Sequence, residues 1–226
     1  YSFTDFSAPQ PYKKVARTFK QRHNGDTHTI LTSYYENGQQ RQHLEAINNR
    51  ALGAYKEWHP NGKIKLSAYV IGGAADLTAE AEEGSIFEGA TQAWDEKGNI
   101  ITRILYAKGL LNGTAYYYYD DGKLWKDIPY DNNEIHGTVT LFYPSGAILS
   151  QQEYRNGSRH GPSRRFWKDN TIAAEEAYNN DALEEGDYYD SKGENISAVK
   201  EGAGFRAIFG ATAVRELHEY RHGIIE

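Results

Sequence analysis

Short apolar runs alternate with glycine-centred polar turns along almost the whole chain, and the alternation keeps a fixed period. The runs are rich in Tyr, Phe, Trp, Ile and Thr, the residues that suit a pleated, half-buried strand. Residues 89–112 (GATQAWDEKGNIITRILYAKGLLN), 113–136 (GTAYYYYDDGKLWKDIPYDNNEIH) and 137–160 (GTVTLFYPSGAILSQQEYRNGSRH) are copies of one pattern 24 residues long. Position 1 is Gly. Position 6 is aromatic (Trp94, Tyr118, Phe142), position 10 is Gly (Gly98, Gly122, Gly146), position 12 is aliphatic (Ile100, Leu124, Ile148) and position 18 is Tyr (Tyr106, Tyr130, Tyr154). The turns Pro60-Asn61-Gly62-Lys63, Asp120-Asp121-Gly122-Lys123 and Pro144-Ser145-Gly146-Ala147 put Pro or Asp early and Gly where positive φ is needed. Each repeat is therefore predicted to be a β-hairpin. A period in this range predicts a stacked array, here an antiparallel, twisted ribbon.

The pattern decays outward. Upstream, Gly53, Trp58, Gly62 and Ile64 keep register, then an Ala- and Glu-rich insert occupies residues 72–84. Tyr34 and Gly38 keep the aromatic-to-Gly spacing further upstream. Downstream, Gly161, Phe166, Ile172 and Tyr178 make a repeat stretched by one residue, with Asn170 at the turn Gly. Asn tolerates the left-handed geometry required there. The expected architecture is an all-β, elongated single domain of about seven to eight hairpin repeats. Residues 1–28 are expected to form an N-terminal capping segment, 29–210 the array and 211–226 a degenerate C-terminal repeat or cap. The insert is expected to be a short helix or, preferably, a mobile loop. The position-1 glycines are expected where the backbone of one repeat packs closely on the next.

Composition narrows the functional classes. Hydrophobic residues are only 39% and mean hydropathy is -0.76, but aromatics reach 13% with 18 Tyr. Large amphipathic rings then cover a thin sheet where a deep aliphatic core is lacking. Net charge is -6 with a pI of about 5.8, which argues against nucleic acid as a partner. One basic stretch, Lys13, Lys14, Arg17, Lys20 and Arg22, supports a lesser alternative of peripheral membrane contact. With no Cys there is no thiol catalysis and no disulfide. With no Met the chain is expected to be a trimmed or processed product, compatible with an exported or envelope protein.

The unit G-x-x-x-x-aromatic-x-x-x-G-x-[IL]-x-x-x-x-x-Y, followed by Asn-Gly and closing on Gly, resembles the bacterial variant of the MORN repeat, in particular the antitoxin-like MORN-variant proteins. The match covers about residues 30 to 186 well. The resemblance implies a hairpin array used for protein–protein contact or, in eukaryotic relatives, for attachment near membranes. It carries no catalytic residues and no cofactor. A toxin-neutralising role is a second implication.

Candidate chemistry is sparse. His218-Glu219-Tyr220-Arg221-His222 spells H-E-x-x-H, which on a helix would hold zinc. The repeat register instead aligns Tyr220 with Tyr154 and Gly223 with Gly157, making the segment a strand. His59, His136 and His160 fall beside turns and are expected to be solvated. No phosphate-binding loop or nucleophile elbow is present, so neither an enzyme nor a cofactor is expected. The run Tyr116 to Tyr119 alternates faces in a strand. If Tyr118 points inward, Tyr117 and Tyr119 point out, and Tyr119, Tyr143 and Trp167 recur one per repeat as an aromatic stripe. Tyr117, Tyr119, Tyr143 and Trp167 are the expected contact residues for a protein partner.

Overall fold

The computed structural model describes residues 15–225. They form antiparallel strands with one short helix, in two compact units that divide at Leu110 and Leu111. The N-terminal unit contains β1 (Val15–Gln21), β2 (Thr27–Tyr34), β3 (Gln40–Ile47), β4 (Arg50–Trp58), β5 (Ile64–Gly72), the helix α1 (Ala79–Glu83), β6 (Ile86–Trp94) and β7 (Ile100–Ala107). Each strand pairs with the next. A two-residue strand, β8 (Leu110–Leu111), lies at the division. The C-terminal unit continues with β9 (Gly113–Tyr118), β10 (Leu124–Asp131), β11 (Glu134–Ile135), β12 (Gly137–Phe142), β13 (Ile148–Arg155), β14 (Ser158–Phe166) and β15 (Ile172–Asn179). It ends with β16 (Ala182–Tyr189), β17 (Asn195–Lys200), β18 (Ala203–Phe209), β19 (Val214–Arg221) and β20 (Ile224–Ile225). The expected all-β hairpin array is what the chain forms.

The turn of each repeat explains its hairpin. The N–H of the position-10 residue donates to the carbonyl of position 7, as in Gly122 to Tyr119 at 2.8 Å and Gly146 to Tyr143 at 2.8 Å. The N–H of position 7 donates in turn to the carbonyl of position 11, Tyr119 to Lys123 and Tyr143 to Ala147, both at 2.8 Å. Closing this turn requires positive φ at position 10, met by Gly122 at 82° and by Asn170 at 68°. The register then slips by one residue beside the turn in the hairpins that follow β1–β2, which itself pairs without a slip. Tyr118 pairs with Leu124 but Tyr117 with Lys126, so Trp125 stands unpaired as a β-bulge. Arg41, Lys65, Ile101, Leu149, Ala173, Ile196 and Arg215 occupy the same bulge position in their own hairpins.

Each unit has its own core. Leu31, Leu44, Ala46, Ala51, Tyr55, Ala68, Val70 and Ala75 cluster in the N-terminal unit. Ala174, Tyr178, Leu183, Tyr188, Val199 and Ala207 cluster in the C-terminal unit. The insert is ordered, in its short-helix form, because it carries its own apolar anchors. Ala75 and Ala81 are buried, Leu77 packs on the core cluster, and the Thr78 hydroxyl caps α1 by accepting from the N–H of Ala81. Glu82 accepts from the side chain of Gln42 on β3.

The position-1 glycines need a correction. They sit at positive φ (132° at Gly53, 111° at Gly137, 84° at Gly161), and what crowds them is a side chain, not the next repeat's backbone. The neighbours are Glu45, Pro129 and Glu153 respectively.

Candidate interaction surface

Position 7 holds the turn with its backbone and reaches the following repeat with its side chain. The Tyr35 hydroxyl donates to the carbonyl of Trp58 at 2.8 Å, and His59 Nε2 meets the carbonyl of Trp94 at 2.8 Å. In the C-terminal unit Tyr119 donates to Phe142 at 2.6 Å, Tyr143 to Phe166 at 2.8 Å, and Trp167 Nε1 to Asp190 at 3.0 Å. Each rung supplies a donor to a backbone carbonyl one repeat ahead. Burial pushes the phenols of Tyr119 and Tyr143 up from their ordinary value, so they stay protonated donors. Asp95 and Asp190 stand at the same position and turn back instead. Asp95 accepts from the N–H of Asn99 at 2.8 Å, and Asp190 from those of Lys192 and Glu194.

The opposite edge has a reciprocal clasp built on Asn or Asp at positive φ. The Asn133 N–H donates to the Leu111 carbonyl at 3.0 Å, while the Leu111 N–H donates to Asn133 Oδ1 at 2.7 Å. Asp181 with Arg159, and Asn48 with Thr27, repeat both bonds. Backbone groups at these three turns are thereby satisfied by the neighbouring repeat, as a thin array requires.

This repeat chemistry agrees with a comparison of the sequence against family models. Residues 51–70, 111–132 and 135–156 match the MORN repeat variant. The chain carries MORN-variant repeats at these three places. The matched segments cover most of the β4–β5 hairpin and, with short flanks, the β9–β10 and β12–β13 hairpins. MORN repeats are commonly protein-interaction or membrane-binding repeats, and the family is generally non-enzymatic. No curated protein matches the chain.

The MORN register accounts for where the nominated residues lie. Tyr143 is 8% exposed and Trp167 4%, because their polar ends are spent on the next repeat and their rings are covered. The stripe Tyr119, Tyr143 and Trp167 is thus a structural ladder that sinks into the protein, with only its Tyr119 end half-buried. Tyr117, also half-buried, lies under the Lys126 ammonium, 4.5 Å from the ring centroid. The same ammonium is 4.5 Å from the ring of Trp125, which is 40% exposed and 6.2 Å from Tyr119. Trp125 escaped the sequence reading because bulge residues share no side-chain type. Tyr118, Tyr119, Asp120, Asp121, Trp125 and Pro144 line a cleft of about 560 Å³ beside it.

The other candidates separate. His218 lies in β19 with Glu216 Oε1 3.4 Å from its Nε2, and His222 stands in the following turn at a φ of 54°. Among the described residues no three His, Asp or Glu side chains converge as metal ligands. His136 is exposed, as expected at a turn, with its Nδ1 3.2 Å from Asn156 Oδ1, whereas His59 is a half-buried ladder rung and the Nδ1 of His160 is buried with no hydrogen-bond partner among the described residues. Of the basic stretch, Lys13 and Lys14 lie outside the described residues, while Arg17 pairs with Asp76 at 3.1 Å. No helix among the described residues is long and apolar enough to cross a membrane.

Proposed function

We propose that this MORN array is a non-enzymatic protein-interaction module whose contact surface centres on Trp125. The observation that carries this reading is an exposed indole on a β-bulge, flanked by Tyr117 and Tyr119 and capped by Lys126. Trp and Tyr dominate binding energy at interfaces when they fill a partner's pocket or accept its side chains. Here the ring already rests against Tyr119 and the Lys126 ammonium, which lowers the ordering entropy that opposes docking. Of the residues nominated from sequence, Tyr117 and Tyr119 flank this surface, while Tyr143 and Trp167 are buried in the ladder.

The test is affinity capture from the source cells with wild type, Trp125→Ala and Tyr143→Phe side by side. The expected result is one dominant protein retained by wild type and Tyr143→Phe and lost by Trp125→Ala. Retention by Trp125→Ala at wild-type level would overturn the placement. The toxin-neutralising role is a special case of this reading, and it requires that the retained protein be a toxin bound one to one.

A further inference from the structure

Arg159, Arg164, Arg165 and Arg206 line or rim one cavity of about 440 Å³ inside the C-terminal unit. Three of these guanidiniums have a carboxylate. Arg159 Nε donates to Asp181 Oδ1 at 3.1 Å and lies over the Tyr178 ring, 4.3 Å from its centroid. Arg164 Nε donates to Glu175 Oε1 at 3.1 Å, and Arg206 Nε to Glu176 Oε1 at 2.7 Å. Arg165 forms no ion pair with any described residue, and its Nε is buried with no hydrogen-bond partner. The Phe209 ring, with its centroid 5.1 Å from the guanidinium carbon, favours the cation but offers no acceptor. Burial presses Arg165 toward lower basicity; Tyr143 and Glu176 oppose that, and Arg206 adds to it.

A guanidinium left without an anion in a partly desolvated cavity is costly, and a bound anion relieves the cost. The surplus is one positive charge, which a monovalent anion neutralises and a dianion exceeds. The guanidinium fork matches the two oxygens of a carboxylate. Val139, Leu141, Ile208 and Phe209 give part of the wall, beside the polar Ser150, Gln152 and Ser163, an apolar character suited to a hydrocarbon body. We propose that this cavity is a binding site for a small organic carboxylate with an apolar body, its carboxylate seated on Arg165.

The test uses the intact chain, calorimetry and heteronuclear NMR, with phenylacetate as the probe. Acetate supplies the charge without the body, 2-phenylethanol the body without the charge, and inorganic phosphate the competing anion. Phenylacetate is expected to bind best, with shifts concentrated at Phe209 and Ser163. Arg165→Gln is expected to weaken it about tenfold or more, the size of a charge-assisted hydrogen bond. Arg165→Lys, which keeps the charge but loses the fork, should fall between. If Arg165→Gln fails to fold, the wild-type shift map and Arg165→Lys decide. Absence of shifts at the cavity, unchanged affinity in the variants, or phosphate binding as tightly as phenylacetate would each overturn the proposal.

Discussion

The two compact units solve one problem at different depths: each has a buried Tyr whose hydroxyl donates to a carboxylate that also holds a cation. In the N-terminal unit Tyr55 donates to Glu57 Oε1 at 2.7 Å, and Lys65 donates to Glu57 Oε2 at 2.6 Å from a side chain half exposed to solvent. In the C-terminal unit Tyr178 and the fully buried Tyr188 both donate to Glu176, at 3.1 and 3.0 Å, and Arg206 closes the cluster. Burial first, then the carboxylate, holds all three phenols well above their usual range. Desolvation works against the Arg206 charge, but Glu176 outweighs it and raises the basicity of the guanidinium. The same donor pattern is thus a rim feature in one unit and an interior one in the other, and the energetic consequence scales with desolvation.

The largest expected effect follows from that contrast. Glu176→Gln leaves Arg206 without its anion and should destabilise the C-terminal unit by about 3 kcal/mol, the cost of breaking a buried pair. Glu57→Gln should cost about 1 kcal/mol or less, because Lys65 remains solvated. Urea denaturation of the two variants measures the difference; equal costs would remove the distinction between the clusters. Next in size is Gly137→Val. Its φ of 111° and Pro129 Cγ 3.2 Å from the added Cβ predict a loss of about 2 kcal/mol. Gly89→Ala in the N-terminal unit, with open space around its Cβ, should lose only about 1 kcal/mol to its φ of 71°. Thermal melts rank the pair. Smaller again is Tyr143→Phe, which removes one buried rung and should cost about 1 kcal/mol. The half-buried Tyr119→Phe should cost less, since water can replace its hydroxyl at the Phe142 carbonyl.

These effects also show what the chain discloses before folding. The hairpin array was legible because Gly at positions 1 and 10, the ring at 6 and Tyr at 18 recur in register. The bulge was not, because its occupants range from Ala173 to Trp125 and are placed by the turn's closure, not by their own chemistry. The ladder had a visible signal that exposure reasoning misread. Tyr35, His59, Tyr119, Tyr143 and Trp167 share a ring with a polar nitrogen or hydroxyl, and such a ring serves equally to face water or to reach a carbonyl. The reciprocal clasp had one too, in the pairs Asn48-Asn49, Asn132-Asn133 and Asn180-Asp181 that take positive φ. Nothing local announced the Glu176 cluster, whose Arg206 lies 30 residues away and arrives only through β18.

The smallest effects concern pH, and they carry opposite signs in the two units. Burial lowers the basicity of His43 on β3 below its ordinary 6.5; Glu45 opposes that, and Lys56 and His28 reinforce it. Between the ordinary and the lowered value the unfolded chain binds the proton and the folded chain does not, so stability falls as pH drops below 6.5. Burial instead raises Asp127 on β10 above its ordinary 3.8, against the hydrogen bonds of Thr140. Here the folded chain holds the proton longer. The contribution is fully favourable below 3.8 and is lost as pH rises through the raised folded value. His43→Gln should therefore match wild type at pH 8 and gain on it as pH falls below 6.5. Asp127→Asn should be the more stable protein at pH 7 and lose that advantage as pH falls toward 3.8. Differences in Tm across the pH range read both curves directly. A flat difference for either variant would mean that its burial does not oppose the charge, and the contrast between the units would then rest on the Glu57 and Glu176 clusters alone.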